Sequence, residues 1–213
     1  MKLFITASLL TLGLVSSTWA ANASSLLEIQ QRWAQINYQM EDDAKEAAFN
    51  DLAIKAQELV NAEPNNPDDL IWLGIIQSST AGAKGGLGAL SLAKAAKKSF
   101  EDAITINPSA LSGSAMTSLG VLYHKVPGWP IGFGSDKKAK ELLVQSYKLN
   151  PTSIDTNYFL AEFLYDDGDY QGAKQHLDIA QKAAPRPDRP IADMGRHEEI
   201  DTLMEKVNKE LKQ

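Results

Sequence analysis

The sequence predicts an all-α solenoid of about four helix hairpins followed by a C-terminal capping helix. Three observations predict it. Apolar and small residues recur three, four and seven positions apart, the spacing of one helix face. Such stretches are closed by prolines at Pro64, Pro108, Pro151 and Pro185. They also repeat in phase: Ala173, Leu177 and Ala180 stand before Pro185 as Ala96, Phe100 and Ala103 stand before Pro108. Ala139, Leu143 and Ser146 precede Pro151 at the same offsets, and Leu52, Ala56 and Leu59 precede Pro64 more loosely.

In chain order, residues 1–23 are expected to be a cleaved secretory signal. Lys2 is the positive start, Leu3 to Val15 a short apolar core, and Thr18-Trp19-Ala20 or Ala21-Asn22-Ala23 offers small residues for cleavage. The apolar run is too short to span a bilayer comfortably, so no stable membrane insertion is expected after cleavage. Residues 24–213 then form the repeat domain, with hairpins at approximately 25–64, 67–108, 110–151 and 152–185. In the first, Leu26 to about Met40 is helical, with Leu27, Trp33 and Ile36 as candidates for the buried side. Glu41-Asp42-Asp43 turns the chain and places acid where the next helix dipole favours it. In the second, Asp68 is placed to cap the helix that holds Leu70, Trp72 and Leu73.

The proline intervals are 44, 43 and 34 residues. The surplus of the first lies between Gly74 and Ala96, and that of the second mostly between Gly120 and Ala139, each at the turn inside a hairpin. Ala81 to Leu90, AGAKGGLGAL, carries four glycines and is expected to be a mobile or tightly bent connection. It lacks the Gly-Lys-Ser/Thr frame of a phosphate-binding loop. Lys84, Lys94, Lys97 and Lys98 beside Leu87, Leu90 and Leu92 are read as the solvated face of an ordinary repeat helix, the other reading being contact with anionic lipid. Lys125 to Asp136, KVPGWPIGFGSD, combines two prolines and three glycines with Trp129, Ile131 and Phe133. Its apolar side chains either fold back to plug the end of the solenoid or form part of a binding surface.

The last hairpin is the clearest. Leu160, Ala161 and Leu164 mark its first helix, and Asp166-Asp167-Gly168-Asp169 its turn. The second helix starts near Tyr170 and stops before Pro185, which lacks the amide proton a helix interior needs. Short side chains at Ala161, Ala173 and Ala180 let the pair approach closely. Arg186-Pro187-Asp188-Arg189-Pro190 is an extended strap. Residues 191–211 form the charged capping helix, suited to the open end of a stack.

The first helices match one another too, through Leu73-Gly74, Leu119-Gly120 with Tyr123, and Leu160-Ala161 with Leu164. Together these residues resemble the tetratricopeptide repeat, W-x2-L-G-x2-Y, then A-x3-F, then P, whose period of about 34 only the last interval keeps. The loop at Lys125 to Asp136, after its Leu-Gly-x-x-Tyr helix, is similar to one in a bacterial family of exported repeat proteins. That family includes the periplasmic component of tripartite, ATP-independent solute transporters. The resemblance implies stacked hairpins whose first helices line a concave side.

A chain of 213 residues with 44% hydrophobic content suffices for one such domain. Its net charge of −6, without long blocks, makes nucleic acid a poor partner. The absence of cysteine excludes disulfides, lipid-modified cysteine and cysteine-ligated metal. His124, His176 and His197 have no second ligand at metal spacing, the Asp166–Asp169 turn lacks the frame of a calcium loop, and no Gly-x-Ser-x-Gly elbow exists. Neither a cofactor, a metal nor catalysis is expected.

The expected function is therefore an exported, periplasmic or secreted, non-catalytic scaffold that binds a protein or peptide. The alternative is an accessory component of a solute transporter that binds an apolar small ligand. Candidate binding residues on the concave face are Asp155, Tyr158, Glu162 and Tyr165, with Thr117, Val121 and His124 one repeat earlier and Ile71, Ile75 and Ser78 before that. Ile71 and Val121 read rather as inter-repeat core. For Tyr158 and Tyr165, core and contact surface both remain open. Trp129, Ile131 and Phe133 are the candidates in the loop.

Overall fold

A computed structural model describes residues 15–212, with side chains from Ser25 onward except at Leu87. Of the expected signal segment, residues 1–14 lie outside the described residues. Every regular element among the described residues is helical. α1 (Val15–Gln39) and α2 (Asp42–Ala62) form the first hairpin, α3 (Pro67–Lys84) and α4 (Gly86–Ile106) the second. α5 (Ser114–Lys125) and α6 (Asp136–Leu149) form the third, α7 (Ile154–Asp166) and α8 (Tyr170–Ala180) the fourth, and α9 (Pro190–Glu210) ends the fold. Each second helix packs on the first helix of the next pair, and α1, α3, α5 and α7 also touch in series along one side.

The repeated stripe is the interior of these hairpins. Ala96, Phe100 and Ala103, then Ala139, Leu143 and Ser146, then Ala173, Leu177 and Ala180 have no exposed surface at all. Their partners are small: a methyl group at Gly74 would come 2.6 Å from the Phe100 ring, and one at Gly120 would come 2.9 Å from Leu143. Contacts so short are possible only with hydrogen there, which is why a glycine follows leucine in both helices. Local chemistry sets the helix starts. Ser135, Ser153 and Asp169 accept hydrogen bonds from the backbone amides of Lys138, Thr156 and Gly172. At α3 the cap is Asn66, whose side chain accepts from the Asp68 amide, so Asp68 sits in the first turn and is not the expected cap.

The two surplus segments differ from expectation in different ways. The glycine-rich stretch is bent tightly, as one of its two expectations had it, but over two residues only: Ala81–Lys84 continues α3, Gly86–Leu90 begins α4, and Gly85 with Gly86 turns the chain at φ of 62° and 59°. The surplus became helix, because alanine, leucine and lysine favour helix strongly enough to carry isolated glycines. Lys84 is paired with Glu46 at 2.6 Å. Lys125 to Asp136 does leave the helix after Lys125, but folds into a tight knuckle. The Gly134 amide donates to Pro127 O and the Ser135 amide to Tyr123 O, while a methyl group at Gly134 would overlap Val126 O. The Trp129–Pro130 peptide is cis.

The C-terminal helix does more than cover an open end with charge. Ile200, Leu203 and Val207 are buried in the same cluster as Leu177 and Ala180, which extends the core. The other side of α9 reaches the start of the chain. A methyl group at Gly195 would collide with the Tyr38 ring, and the Tyr38 hydroxyl donates to Glu199 at 3.3 Å. From the strap before α9, residues 181–189, the Asp188 carbonyl accepts a hydrogen bond from Gln31 Nε2 at 2.8 Å. First and last helices therefore meet, and the concave side is bridged.

Candidate functional site

That bridge borders a half-open cavity of about 850 Å³ between α1, α3, α5 and α7 on one side and the strap and α9 on the other. One wall is aromatic. Trp33 lies edge-on to Trp72 at 5.9 Å and to Tyr38 at 5.8 Å, and its indole N–H donates to Ser79 Oγ at 2.9 Å. Ile75, Val121 and Phe159 add apolar surface opposite. A short 3-10 turn, Ala110–Gly113, brings Leu111 and Ser112 to the rim with φ of 43° and 57°.

The strap end is polar and tightly paired. Asp155, on the first turn of α7, accepts from Arg186 Nη1 at 2.6 Å and from Arg196 Nε at 2.9 Å. Arg186 also binds Asp193 at 2.6 Å, and Arg196 binds Glu199. The Arg196 guanidinium lies 4.4 Å from both the Tyr158 and Phe159 rings. Burial works to raise the Asp155 carboxyl, but the charges of Arg196, Arg186 and Arg189 overcome it and hold that group well below the usual carboxylate range. Burial wins at Glu199, which is pushed above its ordinary value against the pull of Arg196. It also raises the phenols of Tyr38 and Tyr158. Burial acts to lower the Arg196 guanidinium, yet its carboxylate and tyrosine neighbours leave it raised, so its charge is permanent.

Of the residues singled out in the sequence, Thr117, Val121, Asp155, Tyr158 and Glu162 line the cavity together, with Ile75 and Ser78. Thr117 is buried and bonded to Ser146 and Thr156, Ile71 is core, and Glu162 pairs with Lys125 at 3.1 Å. Val121 is partly exposed to the cavity and is not sealed core as its reading implied. Two residues are not brought there. His124 faces another surface, between Asp136 and Asp166 at 2.9 Å each, and Tyr165 packs on Tyr170 at 5.6 Å. Side chains three and four apart share a helix face only in part, and these two fall on its flank.

The loop candidates divide. Phe133 folds back edge-on to Tyr123 at 5.7 Å, whereas Trp129 is 89% and Ile131 68% exposed. Among the described residues no cluster of His, Asp and Glu could hold a metal, and no helix is long and apolar enough to cross a membrane.

The strap arginines, Arg196 and the Trp33–Trp72–Tyr38 wall were missed by sequence reasoning, which took the strap for a spacer and α9 for a polar cap. A signal was present: of the four arginines in the chain, three fall between positions 186 and 196.

No family model and no curated protein matches the sequence. Solved structures do. A thermophilic TPR protein from Thermus thermophilus, TTC0263, is 16% identical with a TM-score of 0.57, covering 95% of this chain and 96% of its own. MamA is 17% identical with a TM-score of 0.45, over 82% and 96% of the two chains. Pseudomonas aeruginosa pilF is 14% identical with a TM-score of 0.34, over 90% and 92%. The chain shares its helical architecture with the first of these, and its fold is of the tetratricopeptide type.

Proposed function

We propose that this chain is a non-catalytic binding scaffold of the cell envelope whose bridged, half-open cavity holds a small molecule with an apolar body. The observation that carries this reading is the bridge. The strap and α9 span the concave side, where a peptide would otherwise lie along the first helices, and leave a space of about 850 Å³. That volume falls within the usual range for small-ligand sites, roughly 300–1,000 Å³. Its aromatic wall supplies apolar surface, and the polar side chains placed around the rest of the lining can fix a ligand's orientation. Export rests on the sequence alone, on Lys2 and the apolar run after it. Kinship with the periplasmic component of tripartite solute transporters rests on the Lys125 to Asp136 loop and is consistent with a small solute.

Native mass spectrometry of protein released gently from the periplasm tests this. A retained small molecule is expected, and it should be lost on Val121→Trp, which fills the cavity. An empty wild type that also takes up no apolar probe would end the small-ligand reading. Fractionation with N-terminal sequencing tests export, with a mature start at Ala21 or Ser24 expected.

A protein partner is the second reading, and tetratricopeptide folds in general support it. The specific observation in its favour is the exposed pair Trp129 and Ile131, held out by a hydrogen-bonded knuckle. A partner retained by wild type and lost by Trp129→Ser/Ile131→Ser, with the cavity intact, is the expected result. Loss through Tyr158→Ala instead would move the contact to the concave side.

A further inference from the structure

The charged end of the cavity is not evenly paired. Three arginines and three carboxylates gather there, and the acids are all taken. Asp155 is shared by Arg186 and Arg196, Asp193 is bound by Arg186, and Glu199 is bound by Arg196 and Tyr38. The remaining cations facing the cavity differ in kind. Lys125, from α5, is neutralised by Glu162 and Asp166 at 3.1 and 3.3 Å. Arg189, from the strap, has no carboxylate within bonding distance among the described residues. Its guanidinium lies 4.9 Å from the centre of the Trp72 ring, and its Nε is sealed from solvent without a partner.

The terminal nitrogens are thus the donors Arg189 has left, on a residue that lines the cavity. A guanidinium has donors and no acceptor, so only an incoming acceptor can satisfy it. The Trp72 ring, 4.9 Å away, is a cation–π partner on one side of the fork, and a planar fork matches two oxygens of a carboxylate better than it matches a hydroxyl. Burial and then the neighbouring Arg186 charge make the guanidinium costly, and they outweigh the attraction of Asp155 and Asp193, which it does not touch, so its shift is downward. A bound anion would relieve that cost. Beside it the space opens onto Trp33, Ile75 and Val121, which is surface for a chain or ring and not for a second charge.

Building on the small-ligand reading above, we propose that Arg189 is an anion subsite and that the cavity takes a carboxylate with an apolar body. The carboxylate oxygens accept from the terminal guanidinium nitrogens, and the body lies against the aromatic wall.

Calorimetric titration of the full mature chain with decanoate and with methyl decanoate tests it. The two probes share a chain and a carbonyl but only one is charged. Decanoate is expected to bind at least about tenfold more tightly than its ester, the usual scale of one charge-assisted bond. Arg189→Gln should abolish that preference, and a thermal melt matching wild type shows that the variant is folded. Equal affinity of wild type for both probes would overturn the subsite and leave the apolar cavity standing. Binding of neither would overturn the cavity reading with it. If the variant loses all binding, the wild-type ratio decides, and Arg189→Lys, which keeps charge without the fork, is expected to retain part of the preference.

Discussion

The hairpin interiors and the closure at the strap are held together by different physics. Inside the hairpins, Phe100 and Leu143 fill seats opposite Gly74 and Gly120, Leu177 is as fully buried in the last pair, and no charge is involved. At the closure, Asp155, Arg186, Arg196, Asp193 and Glu199 form a chain of ion pairs, with only Gly195 against Tyr38 as a close steric contact. Apolar burial does not depend on the charge state of any side chain, whereas buried pairs are strong only while every member is charged and present. The contrast teaches that the stack can persist while its mouth opens, which suits a cavity that must load.

The largest effect should come from the interior. Phe100→Ala is expected to cost about 3–5 kcal/mol in urea unfolding, since the ring is wholly buried and its seat cannot collapse. A loss under about 1 kcal/mol would show the hairpin to be less tightly packed than its contacts imply. Overfilling the same seat by Gly74→Val should cost about 1–3 kcal/mol.

Asp155→Asn comes next, at roughly 1–3 kcal/mol, because it strips two arginines of a shared partner whose site is still partly open to solvent. Its signature is local: hydrogen exchange should quicken in the first turns of α9 and not in α5 to α8. Uniform quickening would mean the closure and the stack unfold as one.

The closure should also respond to acid. The carboxyl of Asp155 titrates below its ordinary 3.8 in the fold, so its stabilisation is complete above that pH and is lost as pH falls further. Glu199 is raised above its ordinary 4.5, so its protonation begins earlier and favours the fold, partly offsetting the loss. Thermal melts between about pH 5 and pH 3 should fall more steeply for wild type than for Asp155→Asn, while Phe100→Ala keeps the wild-type slope. Parallel curves for all three would remove Asp155 from the acid response. The smallest effect belongs to Trp129→Ala, within about 0.5 kcal/mol of wild type, because the ring touches solvent and little else.

The two surplus segments show where sequence reasoning held and where it slipped. Both were placed at the turns inside hairpins from the proline intervals, and both are there. Glycine content points to a mobile or tightly bent connection in the first, and the tight bend is there, confined to Gly85 and Gly86. Gly82 and Gly88 are carried within helices by alanine and leucine neighbours and Gly85 with Gly86 makes the turn at positive φ, whereas Pro127, directly after the Val126 cap, lacks an amide donor and keeps α5 from continuing. Helix period placed Thr117, Val121, Asp155, Tyr158 and Glu162 on one surface. It could not foresee that Asp155 would be consumed by arginines 31 and 41 residues away.

By itself the sequence determined the hairpins, their seams and their order, because three- and four-residue spacings, small residues opposite large ones and terminating prolines act within a few turns of chain. Tertiary structure alone decided that the last helix returns to the first, that the concave side becomes a bridged cavity, and that Arg189 is left without an acid in bonding distance. Ring closure depends on the accumulated curvature of four stacked pairs, and no local spacing records that sum.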